Sequence, residues 1–148
     1  MILKLAIVLL AVGYASSQGL DLKPYNVTAA ALFYVSDANK DGILTLSEVD
    51  SNFRSYDRDD DGRISRYEYT SHVDANSPQL HAFSHGLYDI YDVDSDDFLD
   101  AHDYESFFKL MDSDENDVVT QHEYVRYWIV LLETLEHLHG GGRKRANL

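Results

Sequence analysis

DANKDGILTLSEVDSNFRSYDRDDDGRISRYE, residues 37–68, carries one twelve-residue pattern twice. Asp37, Asn39 and Asp41 alternate with other residues, then come Gly42, the aliphatic Leu44 and, at the twelfth position, Glu48. Asp57, Asp59, Asp61, Gly62, Ile64 and Glu68 repeat that order. A hard divalent cation such as calcium takes about six to eight oxygens, so carboxylates or amides at positions 1, 3, 5 and 12 suit it. Position 6 must turn sharply and prefers glycine, and position 7 offers a backbone carbonyl, here from Ile43 and Arg63. Position 9, Thr45 and Ser65, stands where a water often reaches the ion. Both copies fit at every diagnostic position.

Working outward, two more copies appear with alterations. The third runs Asp92, Asp94, Asp96, Asp97, Phe98, Asp100, Asp103, and the fourth Asp112, Asp114, Asn116, Asp117, Val118, Thr120, Glu123. Both place Asp where the turn glycine belongs, a residue that tolerates the left-handed conformation better than most but not freely. The third also ends in Asp103, whose shorter side chain reaches an ion less readily with both oxygens. A weaker, more magnesium-like site is expected there. An aromatic residue precedes each loop by four positions (Phe33, Phe53, Tyr88, Phe108), where an entering helix buries it. Position 8 is aliphatic each time, at Leu44, Ile64, Leu99 and Val119.

From about Val27 to Leu135 these loops and flanks resemble the EF-hand calcium-binding superfamily. The resemblance implies an all-α array of helix–loop–helix units, with the position 8 residues forming short β contacts between paired loops. It also implies that calcium is held by Asp37, Asn39, Asp41, Ile43 and Glu48; by Asp57, Asp59, Asp61, Arg63 and Glu68; by Asp92, Asp94, Asp96, Phe98 and Asp103; and by Asp112, Asp114, Asn116, Val118 and Glu123.

Spacing departs from the family's usual pattern. Loops one and two start 20 residues apart, as do three and four, whereas two and three are separated by 35. A single helix must therefore leave one loop and enter the next across Val49–Tyr56 and Tyr104–Met111. About eleven residues at roughly 1.5 Å each span about 16 Å, so those neighbours cannot easily pair. After Glu68 a helix is expected to run to about Val73, break at Asn76-Ser77-Pro78 and resume over Gln79–Tyr91. Loops two and three then form the usual pair, and one and four meet at the far end. One domain over residues 18–139 is expected, its halves related by a 55-residue repeat, with two lobes as the alternative.

Charge agrees with bound cations. Nineteen of the 26 acidic residues lie inside the four loops, and the formal net charge is −14. Unneutralised, such clusters repel one another and loosen a compact state. They also disfavour a nucleic-acid partner. Met1–Lys4, the apolar Leu5–Val12 and the small Ala15, Ser16 and Ser17 read as a secretory signal over residues 1–17, too short an apolar stretch to span a bilayer comfortably. A secreted, extracellular chain without a membrane association after cleavage is expected, and Asn26-Val27-Thr28 is a glycosylation sequon within it. There is no cysteine, so metal binding coupled to folding is expected to take the place that disulfides usually hold in small secreted domains.

Other features read more plainly. Magnesium-dependent enzymes also use aspartate-rich loops, but the alternating βα pattern of their sheets, a nucleophile elbow and a phosphate loop are all missing, so no enzyme activity is expected. His81 and His85 share a helical face, without the acid of a zinc-protease helix, and surface or partly packed histidines are the expected account. The stripe Val125, Trp128, Ile129, Leu132, Leu135, Leu138 reads as a core face rather than a docking surface. His137 and His139 beside three glycines are not expected to hold a metal, and Arg143-Lys144-Arg145 reads as part of a flexible basic tail over residues 140–148.

The function expected is extracellular calcium buffering or carriage, or a place in a biomineral matrix, by likeness to secreted acidic EF-hand proteins of invertebrate shell and extracellular matrix. Calcium is the expected cofactor, with magnesium possible at residues 92–103, and matrix or a mineral surface the expected partner. The rival is a calcium-switched module that exposes an apolar groove to a protein. Such grooves are often Met-rich, and the chain after its signal keeps only Met111.

Overall fold

In the computed structural model each loop ends in a two-residue strand whose first or second residue is the aliphatic position 8. The model describes residues 15–16, 19–20, 22–76 and 78–139. Except for Ala15 and Ser16, the expected signal segment lies outside the described residues, as does the tail over 140–148. The elements run β1 (Ala15–Ser16), β2 (Gly19–Leu20), α1 (Tyr25–Ser36), β3 (Ile43–Leu44), α2 (Leu46–Arg54), β4 (Ile64–Ser65) and α3 (Arg66–Asn76). A 3-10 turn (Pro78–Leu80) leads to α4 (His81–Tyr91), β5 (Phe98–Leu99), α5 (Ala101–Met111), β6 (Val119–Thr120), α6 (Gln121–Thr134) and α7 (Glu136–His139). The described chain is mostly helical, as expected of an all-α protein.

The strands pair antiparallel, β4 with β5 in the register Ile64↔Leu99, and β3 with β6 in the register Leu44↔Val119. Loop two thus lies beside loop three and loop one beside loop four, the arrangement that the 20- and 35-residue spacings predict. α1 packs along α6, α2 along α5, and α3 against α4. A shift of 55 residues carries β3 onto β5 and β4 onto β6, so it exchanges one strand pair for the other. The repeat read in the sequence is therefore also a repeat of contacts.

One helix does join loops one and two, and another joins three and four. α5 has 11 residues, as the span requires, but α2 has only nine. The amides of Tyr56 and Asp57 donate to Phe53 and Arg54 carbonyls three residues back, closing α2 on a tightened turn. Tyr56 is buried there and meets Tyr69 with ring centroids 4.8 Å apart. α3 runs on to Asn76, past the expected end near Val73, and α4 begins only at His81 because Pro78–Leu80 winds as a 3-10 turn.

The buried side chains form one contiguous cluster. Phe33, Phe53, Tyr88 and Phe108, one turn before each loop, are all buried, as are Leu44, Ile64, Leu99 and Val119. Trp128, Leu132 and Leu135 are buried too, so the α6 stripe is largely a core face. Phe107 sits at the centre, edge-on to Tyr91 at 4.9 Å and to Phe53 at 6.0 Å between centroids. Tyr88, fully buried, donates its hydroxyl to the carbonyls of both Ile64 (3.0 Å) and Asp97 (2.7 Å). Its ring thus closes the seam between loops two and three. Among the described residues no helix is long and apolar enough to cross a membrane.

Candidate metal centres

All four acidic loops adopt one backbone plan. Position 4 is left-handed in each, with φ of 62° at Lys40, 61° at Asp60, 60° at Ser95 and 58° at Glu115. Position 6 is left-handed as well, at 89° and 87° for Gly42 and Gly62, and at 68° and 65° for Asp97 and Asp117. From position 6 the amide donates to the position 1 carboxylate in every loop: Gly42 to Asp37, Gly62 to Asp57 and Asp117 to Asp112 at 2.9 Å, Asp97 to Asp92 at 3.1 Å. Aspartate therefore holds the turn that glycine holds, at a conformational cost of about 1–2 kcal/mol for a residue with a Cβ. The glycines stand in open space, with nothing within 4 Å of where a Cβ would project, so the demand at Gly42 and Gly62 is for backbone freedom alone.

The substitution does leave a trace. In the glycine loops the second oxygen of position 1 accepts from position 4, Lys40 at 2.8 Å and Asp60 at 2.7 Å. In the aspartate loops it accepts instead from position 5, Asp96 and Asn116, both at 3.1 Å. The first carboxylate is buried in loops one, three and four (Asp37, Asp92, Asp112) and only half-buried in loop two. The entry to loop two also differs, the Asp57 amide donating three residues back to Arg54 where those of Asp37, Asp92 and Asp112 donate four residues back to Phe33, Tyr88 and Phe108.

Position 12 is fixed by the start of the helix that leaves each loop. One oxygen of Glu48 accepts from the Ala38 amide (3.1 Å), the other from the Thr45 amide and hydroxyl (both 2.9 Å). Glu68 accepts in the same way from Arg58 (3.0 Å) and from the Ser65 amide and hydroxyl (both 2.8 Å). Glu123 accepts from Ser113 (3.1 Å) and from the Thr120 amide and hydroxyl (2.9 and 2.8 Å). A hydroxyl followed three residues later by Glu is a capping box, so the residues that start the helix also orient the position 12 carboxylate.

Asp103 reaches the same two amides, Val93 at 2.9 Å and Asp100 at 3.0 Å, despite its shorter side chain. Its position 9 partner, Asp100, is a carboxylate with no hydroxyl to donate. The electrostatics split accordingly. The amide of Thr120 leads in holding the Glu123 carboxyl down at about 2 against the effect of burial, helped by the Thr120 and Ser113 hydroxyls. Burial pushes the Glu68 carboxyl up, yet the amide and hydroxyl of Ser65 and the amides of Arg58 and Asp59 together leave it lowered. Burial raises Asp103, with Asp94 and Asp100 adding repulsion that its two amide bonds do not offset.

A measurable difference follows. A depressed folded value means that Glu123 stabilises the fold above its unfolded range near 4.3 and loses that contribution as pH falls toward 2. A raised value means that Asp103 protonates early, its charged form being disfavoured by the fold. Carbon-13 NMR titration of the metal-free chain is expected to place the Asp103 midpoint above an ordinary aspartate and Glu123 below an ordinary glutamate. The reverse order would mean that burial and the Asp94 and Asp100 charges do not outweigh the amide bonds at Asp103, and that the Thr120 and Ser113 bonds do not hold the Glu123 carboxyl down.

The predicted ligands converge unequally. Carboxylate oxygens of Asp57, Asp59 and Asp61 lie within 4.8 Å of one another, as do those of Asp92, Asp94 and Asp96, and of Asp112, Asp114 and Glu123. Loop one, whose third position is the amide Asn39, gathers no such triple of carboxylates, and the Asn39 amide donates to Asp41 at 3.0 Å. A further triple joins Asp74 to His81 and His85. The sequence signalled the two histidines but not Asp74, which arrives from the preceding helix. Position 4, left-handed in every loop, carried no signal in its residue type. Comparison with protein-family models, with curated proteins and with solved structures gives no match.

Proposed function

We propose that this chain is an EF-hand protein whose four loops bind calcium, and that it works outside the cell as a buffer, a carrier or a component of mineralised matrix. The observation that carries the reading is the fourfold recurrence of one loop plan, ending each time in a position 12 carboxylate aimed by two backbone amides. The strand pairs joining loop two to three and one to four support it as well. Oxygen donors without nitrogen or sulfur suit calcium and magnesium rather than a transition metal. Extracellular modules work at about 10⁻⁴–10⁻³ M, where even altered loops fill.

Calorimetric titration of the secreted chain with calcium, under magnesium competition, tests the reading. Four ions are expected, with loops one and two tighter than three and four, and loop three yielding first to magnesium. Glu68→Gln is expected to remove one of the tighter sites. Failure to bind calcium would end the proposal, and a loop three tighter than the rest would end the ranking.

One observation favours the rival, a calcium-switched interaction module. A cavity of about 80 Å³ lies between Phe53, Tyr56, Tyr91, Phe107, Met111 and Trp128. The Trp128 Nε1 is buried beside it with no hydrogen-bond partner among the described residues. Calcium-dependent retention on a hydrophobic resin would support that module, and flow-through in both states the buffer or matrix role.

A further inference from the structure

Asp74 lies late in α3, His81 opens α4, and His85 follows one helical turn on. The Pro78–Leu80 turn folds α4 back against α3, anchored by Leu80, Phe83 and Ser84, all nearly inaccessible. The inner face of α4 is thus held in the core, and the two imidazoles are left on its outer rim facing Asp74. One donor atom from each of the three residues falls within 4.8 Å of the others. His81 Nδ1 is 2.8 Å from an Asp74 carboxylate oxygen, and the two rings stand 4.6 Å apart between centroids, tilted by 56°.

We propose that Asp74, His81 and His85 form a binding site for a divalent transition metal of the zinc class, separate from the oxygen-rich loops. Two imidazoles and one carboxylate are a donor set that zinc, copper or nickel takes in preference to calcium or magnesium. Zinc binds such atoms at about 2.0–2.2 Å in tetrahedral geometry, which sets neighbouring donors about 3.3 Å apart. The His81–Asp74 contact therefore opens by about half an ångström, from a hydrogen bond to the edge of a coordination tetrahedron. The His81 side chain is 61% exposed and Asp74 38%, so both can turn without disturbing the core. The fourth position is open to water. Bound there, the metal ties α3 to α4 across their connector, the join between loops two and three, in a chain that has no disulfide.

Zinc added to the full secreted chain at neutral pH, in excess calcium, tests this by calorimetry. One zinc per chain is expected, with an affinity that does not change as calcium is raised. His81→Ala and His85→Ala are each expected to weaken it at least about tenfold, and Asp74→Asn, which keeps the shape and removes the charge, by about tenfold. Circular dichroism of these surface variants is expected to match the parent. No saturable zinc, zinc displaced by calcium, or an affinity unaltered in folded His85→Ala would each overturn the site.

Discussion

Calcium added to the metal-free chain is expected to raise its melting temperature by about 20–40 °C and to increase its helix content. If the four loops hold calcium as proposed, each one filled at about a hundred times its dissociation constant stabilises the fold by about 2.7 kcal/mol. Four such loops supply roughly 10 kcal/mol, and one kcal/mol shifts the midpoint of a chain this size by about 2–4 °C. The electrostatic cause is local: six acids crowd residues 92–103 alone, and four calcium ions would cancel about half of the net negative charge. With no disulfide to hold the fold together, the metal-free chain is left with that repulsion. Far-UV circular dichroism melts with calcium and with chelator measure the effect. Identical melts and identical helix content would refute it.

Phe107→Ala is expected to cost about 3–5 kcal/mol, the range for truncating a buried aromatic ring. Phe107 is 5% exposed and meets Phe53, Tyr91, Tyr127 and Trp128 edge-on, with centroids 4.9–6.4 Å apart. Such pairs add about 0.5–1.5 kcal/mol beyond the area they bury. It also lines the cavity of about 80 Å³, so truncation enlarges an existing space. Phe107→Leu retains most of the volume and is expected to lose far less. Urea unfolding in saturating calcium checks both, and a loss below about 1 kcal/mol for the alanine variant would remove Phe107 from the centre of the core.

Much of this architecture was legible because loop chemistry and spacing constrain each other. Twenty residues between Asp37 and Asp57 leave room for one helix only, and that alone sends Leu44 to Val119 rather than to Ile64. The aromatic residues one turn ahead of each loop announce their burial by position. Features set by tertiary packing were not legible. Nothing in the order Val73-Asp74-Ala75 says that α3 continues to Asn76, or that Asp74 then meets two histidines across a 3-10 turn. The Tyr88 hydroxyl reaches two carbonyls that are distant in sequence from each other. Position 9 was readable as a residue near the expected ion, but its hydroxyl's bond to the position 12 carboxylate needed the helix start to be seen. Loops three and four, alike in losing glycine, separate electrostatically because burial leads in raising Asp103 while the Thr120 amide leads in lowering Glu123.

The two strand pairs are exchanged by the 55-residue repeat, yet the chain reaches them at different times. Ile64 and Leu99 close a segment of 35 residues, Leu44 and Val119 one of 75. The entropy of closing the longer segment from a free chain is greater by roughly 0.7 kcal/mol, growing as the logarithm of length. Once β4 and β5 have met, however, only α2 and α5 separate that junction from β3 and β6, and the remaining search is short. Loop closure therefore favours the middle of the polypeptide over its ends as the place where strands first meet. During synthesis the inner junction can form while α6 is still unmade, and the outer one waits for almost the whole chain. Two contacts equivalent in the finished molecule thus differ in how much chain must exist before each can close.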